Sequence, residues 1–208
     1  MNSMLNKLNI REEVQVYFKN DYTINSHGDL VFCYGNSFEY YGARGHQTPF
    51  THELWVAGNK NFHLTRQVFI CSSAMEAMAF FSLRYASFSQ KDYLLFIAIG
   101  TSPKKTQYQA LRELVRMKKV ALVMGNDFFG RLCDIKIVAG IKEIILKLYL
   151  INEERINVQL SGKGFQFEQS ILTLNALEKA SGLRSGIRTF KPKNSITFLQ
   201  QLREESQD

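Results

Sequence analysis

The spacing of hydrophobic positions changes about a third of the way along the chain, and this change predicts two regions. In residues 1–64, two alternating runs at 30–34 and 38–41 flank Gly35 and Asn36, a pattern typical of a hairpin. A short helix is predicted before them, with Asn9 as its N-cap. We therefore predict a small β-rich N-terminal subdomain over residues 1–64, packed on the rest of the chain.

Residues 65–208 show a different pattern, in which apolar strands alternate with segments of helical period. The predicted strands are 68–71, 93–99 and 120–124, and each is followed by a helical pattern. Three such units in series predict a mainly parallel sheet with right-handed crossovers. The expected fold class is therefore α/β, with helices flanking the sheet.

The sequence pattern predicts the secondary structure of the last third of the chain less clearly. Residues 141–151 fit both a continuing helix and the first strand of a meander, and the pattern leaves both open. Ser170 is expected to cap a helix that Gly182 ends, and Ser195 is expected to cap a final helix.

Composition excludes several classes of protein. Hydrophobic residues make up 45% and charged residues 22%, which is typical of a globular protein and excludes a disordered one. The longest apolar run, residues 94–99, is far too short to span a membrane. Three cysteines without a CxxC pair and four widely spaced histidines match no metal motif. We expect a cytoplasmic protein with no membrane partner and no metal.

Charge suggests a partner. The chain has 26 Lys and Arg against 19 Asp and Glu, a net charge of +7, and residues 179–203 hold six of these cations and no acid. Such a segment could follow a phosphate backbone, so DNA or RNA is the expected partner; a solvated surface is the alternative. The candidate contacts are Arg184, Arg188, Lys191 and Lys193, with Phe190 and Phe198 as candidate stacking rings.

Four segments carry a family resemblance. VFICSSAMEAM at 68–78, IAIGTS at 97–102 and VMGNDFFGR at 123–131 resemble, in order, the three landmarks of a Toprim domain. FEYYGARG at 38–45 is similar to the strand-and-arginine motif of the primase catalytic core. The resemblance is to the primase-like type encoded by mobile elements, and it implies a Toprim-like fold and an accessory role in the replication or transfer of such an element.

The metal-binding acids of that family are mostly missing. The family pattern places a Glu where this chain has Ser72 and an Asp-x-Asp where it has Gly125 and Asp127, so one of three carboxylates remains. Mg²⁺ needs several oxygen ligands, so we expect no cofactor and no catalysis. The alternative is a Mg²⁺-dependent primase or nuclease that uses Asp127 with Glu76, one helical turn beyond Ser72. Asp127 and Ser72 could also be ordinary helix caps.

Two further places are candidates for nucleic-acid contact. Arg44 lies between Gly42 and Gly45 in the motif that resembles the primase core, and an unengaged surface arginine is its alternative role. Gly100 and Thr101 follow the second predicted strand, where they could bind phosphate or form a tight turn. The sequence thus predicts a non-catalytic nucleic-acid-binding protein, with a metal-dependent enzyme and a protein-interaction module as alternatives. It leaves the oligomeric state open.

Overall fold

The computed structural model describes residues 2–205, in which helices and strands are joined by turns and loops. The α-helices are α1 (Ser3–Lys7), α2 (Glu12–Tyr17), α3 (Ala74–Arg84), α4 (Lys105–Val115), α5 (Phe128–Ile141), α6 (Leu174–Ser181) and α7 (Phe198–Glu204). The strands are β1 (Thr23–Ile24), β2 (Leu30–Tyr34), β3 (Ser37–Gly42), β4 (Gly45–Gln47), β5 (Trp55–Gly58), β6 (Gln67–Cys71), β7 (Leu94–Ala98), β8 (Lys119–Val123), β9 (Leu146–Leu150), β10 (Arg155–Leu160), β11 (Lys163–Glu168) and β12 (Arg188–Phe190).

The strands of the described residues form three sheets. The N-terminal sheet is antiparallel in the order β1-β2-β3-β4, and its β2–β3 hairpin is the predicted one. The central sheet has the order β12-β8-β6-β7-β5 and is parallel except for β5. A small antiparallel sheet has the order β11-β10-β9. The predicted α/β class and the three strand-helix units are confirmed.

Two hydrophobic cores cover the two faces of the central sheet. Phe69 and Phe96 point to one face, where α3, α7 and the N-terminal sheet pack. Val68 and Leu122 point to the other, where α4, α5, α6 and the small sheet pack. Both faces are apolar, as expected of parallel strands covered on two sides. β5 lies before residue 65 yet pairs with β7, so the two predicted regions share this sheet.

Several predicted helix starts were wrong. Asn9 lies between α1 and α2 with a φ of 58°, and Arg11 precedes α2 instead. Thr173 and Thr197, not Ser170 and Ser195, cap α6 and α7, because each threonine hydroxyl accepts a hydrogen bond from the amide of the residue three positions on. Gly182 ends α6 as predicted, with a φ of 75°.

The structure also decides two open segments. α5 ends at Ile141 and β9 follows, so the meander is the correct alternative for residues 141–151. Residues 179–203, for which nucleic-acid contact and a solvated surface were the alternatives, include β12 and most of α7, and α7 is the predicted final helix. Phe198 is 2% exposed, and its ring meets that of Phe80 edge-on, with 5.2 Å between the ring centroids. The prediction that Phe198 stacks on nucleic-acid bases was therefore wrong. Phe190 packs on the same phenylalanine ring, because burial of apolar surface outweighs exposure of these rings.

Among residues 2–205, no helix is long and apolar enough to cross a membrane.

Candidate nucleic-acid interface

The carboxyl ends of β6, β7 and β8 are where ligands bind in open parallel sheets, and the Toprim resemblance places its site there. The first of these ends is closed by the N-terminal sheet. Ser73 caps α3 by accepting a hydrogen bond from the Glu76 amide at 3.1 Å, while its neighbour Ser72 is partly exposed. The first turn of α3 is reached by Glu39 of β3, a residue with no exposed surface.

Glu39 accepts hydrogen bonds through both carboxylate oxygens. Its Oε2 accepts from the Ala74 amide at 2.8 Å and from the Tyr34 hydroxyl at 2.6 Å. Its Oε1 accepts from the Met75 amide at 3.1 Å and lies 2.8 Å from Nε2 of His46. A carboxylate is favourable at a helix N-terminus because the free amides and the helix dipole both attract negative charge. The position that would bind an anionic ligand is therefore filled by the chain itself.

The second strand end is closed by residues 48–51. The Thr101 amide donates to the Pro49 carbonyl at 3.0 Å, and the Thr101 hydroxyl donates to the carbonyls of Thr48 and Pro49 at 3.1 Å. Gly100 has a φ of 81°, and a Cβ there would lie 2.5 Å from the Pro49 carbonyl oxygen. Both donors of Thr101 are therefore engaged by residues 48 and 49, and Gly100 lies close to the same segment.

The third strand end is closed by the segment before α7. The Asn126 amide donates to the Ile196 carbonyl at 2.8 Å. Asp127 caps α5, with its Oδ1 accepting from the Gly130 amide at 2.8 Å. The Gly125 carbonyl accepts from the Lys191 ammonium at 2.8 Å. Of the three positions matched to the family's acids, Asp127 alone is acidic, and it has a structural role in this arrangement.

Glu76 is likewise engaged. Its two carboxylate oxygens accept from the amides of Phe198 at 2.8 Å and Leu199 at 3.2 Å, which are the first residues of α7. Burial raises the pKa of Glu76, while the two amide hydrogen bonds lower it. This carboxylate therefore fixes α7 to α3 and does not face an open site.

The residues present do not fit the Mg²⁺ that the family resemblance implies. Mg²⁺ requires several oxygen ligands in octahedral geometry. The carboxylates of Glu76 and Asp127 already accept backbone hydrogen bonds, and Ser72 and Gly125 add no carboxylate. Within residues 2–205 no group of three or more His, Cys, Asp or Glu side chains is placed to hold a metal ion.

Lys191, a candidate for nucleic-acid contact, lies in a buried ion pair. Its Nζ is 2.7 Å from Oδ2 of Asp134, a carboxylate whose side chain is 2% exposed. Burial raises the pKa of Asp134 to about 6, and Lys191 opposes that rise. The same ammonium donates to the Gly125 carbonyl, so Lys191 joins β12 to the end of β8.

Arg44 lies in the turn between β3 and β4 and is strongly exposed. Its Nη2 is 3.5 Å from Oδ2 of Asp29, and its side chain is 73% exposed. A hydrogen bond from Asn25 lowers the pKa of Asp29, and Arg44 adds to this effect. Arg44 therefore belongs to the N-terminal sheet, which meets the first turn of α3.

A set of cations collects at the opposite edge of the central sheet, where the parallel strands begin. Lys119 starts β8, and Arg188 of the adjacent β12 pairs with Ala121. Because alternate residues share a face, Lys119 and Arg188 point to the side of α3. Arg84, the last residue of α3, lies over the Phe190 ring of β12 at 5.6 Å.

We call this surface the basic edge. Its members are Arg84, Arg116, Lys118, Lys119, Arg184 and Arg188. Arg116 and Lys118 lie in the turn that leads into β8, and Arg184 lies in the segment that leads into β12. Among the described residues, none of the ion pairs involves a member of this set. Lys193, the remaining predicted contact, is exposed and lines a small pocket together with Arg84 and the acid Glu205.

Comparisons with family models, with curated proteins and with solved structures find no match for this chain. The resemblance to a Toprim domain stays a prediction from four sequence segments.

Two features of these sites were missed by sequence reasoning. Glu39 shares the inward face of β3 with Tyr41, and an acid at an inward strand position is a signal that it has buried partners. The basic edge also includes residues far in sequence from residues 179–203: Arg84 ends α3, Lys119 begins β8, and Arg116 and Lys118 lie in the turn before it. Their clustering depends on strand order, which no local pattern reveals.

Proposed function

We propose that this protein binds nucleic acid through its phosphate backbone, and that it neither cuts nor polymerises the strand it binds. The observation that carries the proposal is the basic edge, where six cations lie without a carboxylate partner among the described residues. Phosphates are the partners that such cations find in nucleic acids, through contacts that vary little with sequence.

The closed strand ends support the non-catalytic part of the proposal. The positions that would hold Mg²⁺ and the reacting phosphate are occupied by Glu39, by Pro49 and by the Ile196 segment. Phosphoryl transfer needs charge stabilisation at the transferred group, and here the nearest carboxylates and amides bond to one another. The accessory role in a mobile element stays a prediction of the resemblance.

A three-site neutralisation tests the proposal. The triple variant Lys119→Gln, Arg184→Gln, Arg188→Gln removes three exposed charges from the basic edge. None of these three side chains makes an ion pair within residues 2–205. Affinity for short fluorescent single-stranded and duplex DNA and RNA is measured by anisotropy over a series of salt concentrations. Each phosphate contact contributes about 0.9 to the slope of log K against log salt on duplex DNA, so the variant slope should be shallower by up to about 2.7.

A matched control has the same change in net charge at exposed lysines elsewhere: Lys7→Gln, Lys19→Gln, Lys163→Gln. We expect the slope of log K against log salt for this control to equal that of the parent, since these side chains lie on other elements. Equal slopes for the edge variant and the control variant, with both melting as the parent does, would refute binding at the basic edge.

A further inference from the structure

A broad apolar groove lies on the face of the protein that carries α4, α5 and the small sheet. Its volume is about 1190 Å³, and it runs between α4 and α5 on one side and β9 on the other. The floor is formed by apolar side chains from these three elements and from the turn that leads into β9. They are Tyr108, Phe128, Leu132, Ile144, Leu146 and Leu148.

Two large side chains at the groove are unusually exposed. Phe129 is 74% exposed and Leu150 is 64% exposed, and both line the groove. β9 is also an edge strand, with β10 on one side and no strand on the other among the described residues. An apolar patch of this kind on a protein surface marks an interaction site.

The rim of the groove indicates the charge of its occupant. Lys105, Arg112 and Lys136 line it, against the single acid Glu143 among the lining residues, all of which the structure describes. Glu143 is itself 3.4 Å from Arg112. The groove thus combines an apolar floor with a rim of net positive charge. A second copy would bring the same positive rim and a net charge of +7, so its approach would be opposed.

We propose that this groove binds an acidic amphipathic helix of a partner protein. The apolar stripe of the helix would pack between α5 and β9, a recurring mode of recognition in which residues at i, i+3, i+4 and i+7 enter a groove. Its carboxylates would face Lys105 and Lys136, since Arg112 already lies beside Glu143 and donates to the Gly140 carbonyl. The groove exceeds the volume typical of a small-molecule pocket, which favours a peptide segment as the occupant. This inference concerns a different surface from the basic edge and does not rest on nucleic-acid binding.

Three designed peptides of about 18 residues, or five helical turns, probe the groove. The first has Leu at the helical apolar positions and Glu elsewhere, the second has Lys in place of Glu, and the third is a scramble of the first without an apolar stripe. Anisotropy of the labelled peptides should show binding of the first at least about tenfold tighter than of the other two, a difference of about 1.4 kcal/mol. Binding should also weaken with salt.

Variants of the protein locate the binding. Phe129→Ser and Leu150→Ser should each weaken binding of the acidic peptide about tenfold, because large exposed anchors dominate such interfaces. Lys105→Glu should weaken it as well. The matched controls are Ile24→Ser, at a residue 56% exposed on β1, and Lys7→Glu on α1, and both should leave it unchanged.

Three results would overturn the proposal. One is failure of the acidic peptide to bind, or equal binding by the lysine peptide. Another is unchanged affinity in both Phe129→Ser and Leu150→Ser. The third is sedimentation of the parent as a dimer that Phe129→Ser disperses, which would assign the groove to a second copy of the chain.

Discussion

Glu39→Gln should destabilise the protein strongly although it changes few atoms. Oε2 of Glu39 accepts hydrogen bonds from the Ala74 amide and the Tyr34 hydroxyl. Oε1 accepts from the Met75 amide and lies 2.8 Å from Nε2 of His46. Glutamine has one oxygen and one amide nitrogen, so one of these two backbone amides loses its carboxylate acceptor. If this is the Ala74 amide, it keeps only the Tyr34 hydroxyl, 3.1 Å away. The change also removes negative charge from the N-terminus of α3.

The magnitude follows from these losses. The loss of a backbone hydrogen bond to a charged acceptor costs about 1.5 to 3 kcal/mol, and the lost charge at the helix N-terminus costs up to about 2 kcal/mol. Glu39 has no exposed surface, so water offers no replacement. We expect the free energy of unfolding to fall by about 2 to 4 kcal/mol in Glu39→Gln.

Urea unfolding followed by circular dichroism measures this difference. Glu13→Gln is the matched control, because its carboxylate is 49% exposed on α2, where it lies 3.6 Å from Arg11, and the change should shift stability by less than about 0.5 kcal/mol. If Glu39→Gln unfolds at the same urea concentration as the control with an unchanged slope, the carboxylate does not hold the N-terminal sheet to α3, and the strand end at β6 is not closed in this way.

Three further changes have definite expected outcomes. Gly100→Ala should lower the melting temperature more than Gly162→Ala does. Both glycines have positive φ, but a Cβ at Gly100 would lie 2.5 Å from the Pro49 carbonyl oxygen, whereas a Cβ at Gly162 would have no atom within 4 Å. Burial raises the pKa of Asp134 from 3.8 to about 6 in the folded protein. The folded state therefore holds this proton more tightly than the unfolded state does, and the stability gained from it is present below pH 3.8 and is lost as pH rises through about 6. Asp134→Asn should therefore gain stability relative to the parent over that range in urea unfolding. Arg44→Ala should leave nucleic-acid affinity measured by anisotropy unchanged, because Arg44 lies on the sheet that meets the opposite end of α3 from the basic edge.

Each of these has a contrary result. Equal melting of the two glycine variants would mean that positive φ, and not the approach to Pro49, governs the cost at Gly100. A stability difference between Asp134→Asn and the parent that stays constant with pH would mean that this carboxyl does not titrate in the range given. A clear loss of affinity in Arg44→Ala would place nucleic acid on the N-terminal sheet, as the resemblance to a primase core implies.

The sequence was sufficient for the class of fold and for the order of its central units. Strands near residues 68, 93 and 120 are long apolar runs followed by helical periods, and such local patterns survive in the structure because each run is buried on both faces of the sheet. The β2–β3 hairpin was predictable for a similar reason, since Gly35 has a φ of 61° that its turn requires.

The sites were less predictable because they depend on contacts between distant residues. Lys191 looked like a free cation in an acid-free segment, but its partner Asp134 lies on α5, 57 positions earlier in the chain. Glu76 looked like a candidate ligand, but its partners are amides of α7, more than 100 residues later. Charge counted along a chain does not show which charges the fold neutralises.

The position of bound nucleic acid on the protein tests the central claim most directly. Photocrosslinking of single-stranded and duplex probes, followed by mass spectrometry of the protein's peptides, reports which edge of the central sheet the strand touches. We predict adducts in residues 116–119 and 184–193, on the basic edge and beside it, and the same pattern in the presence of Mg²⁺ or a chelator. Adducts at Ser72, Thr101 and Asp127 that appear only with Mg²⁺ would contradict this claim, because they would show an open, metal-dependent site at the strand ends where the structure has the chain itself.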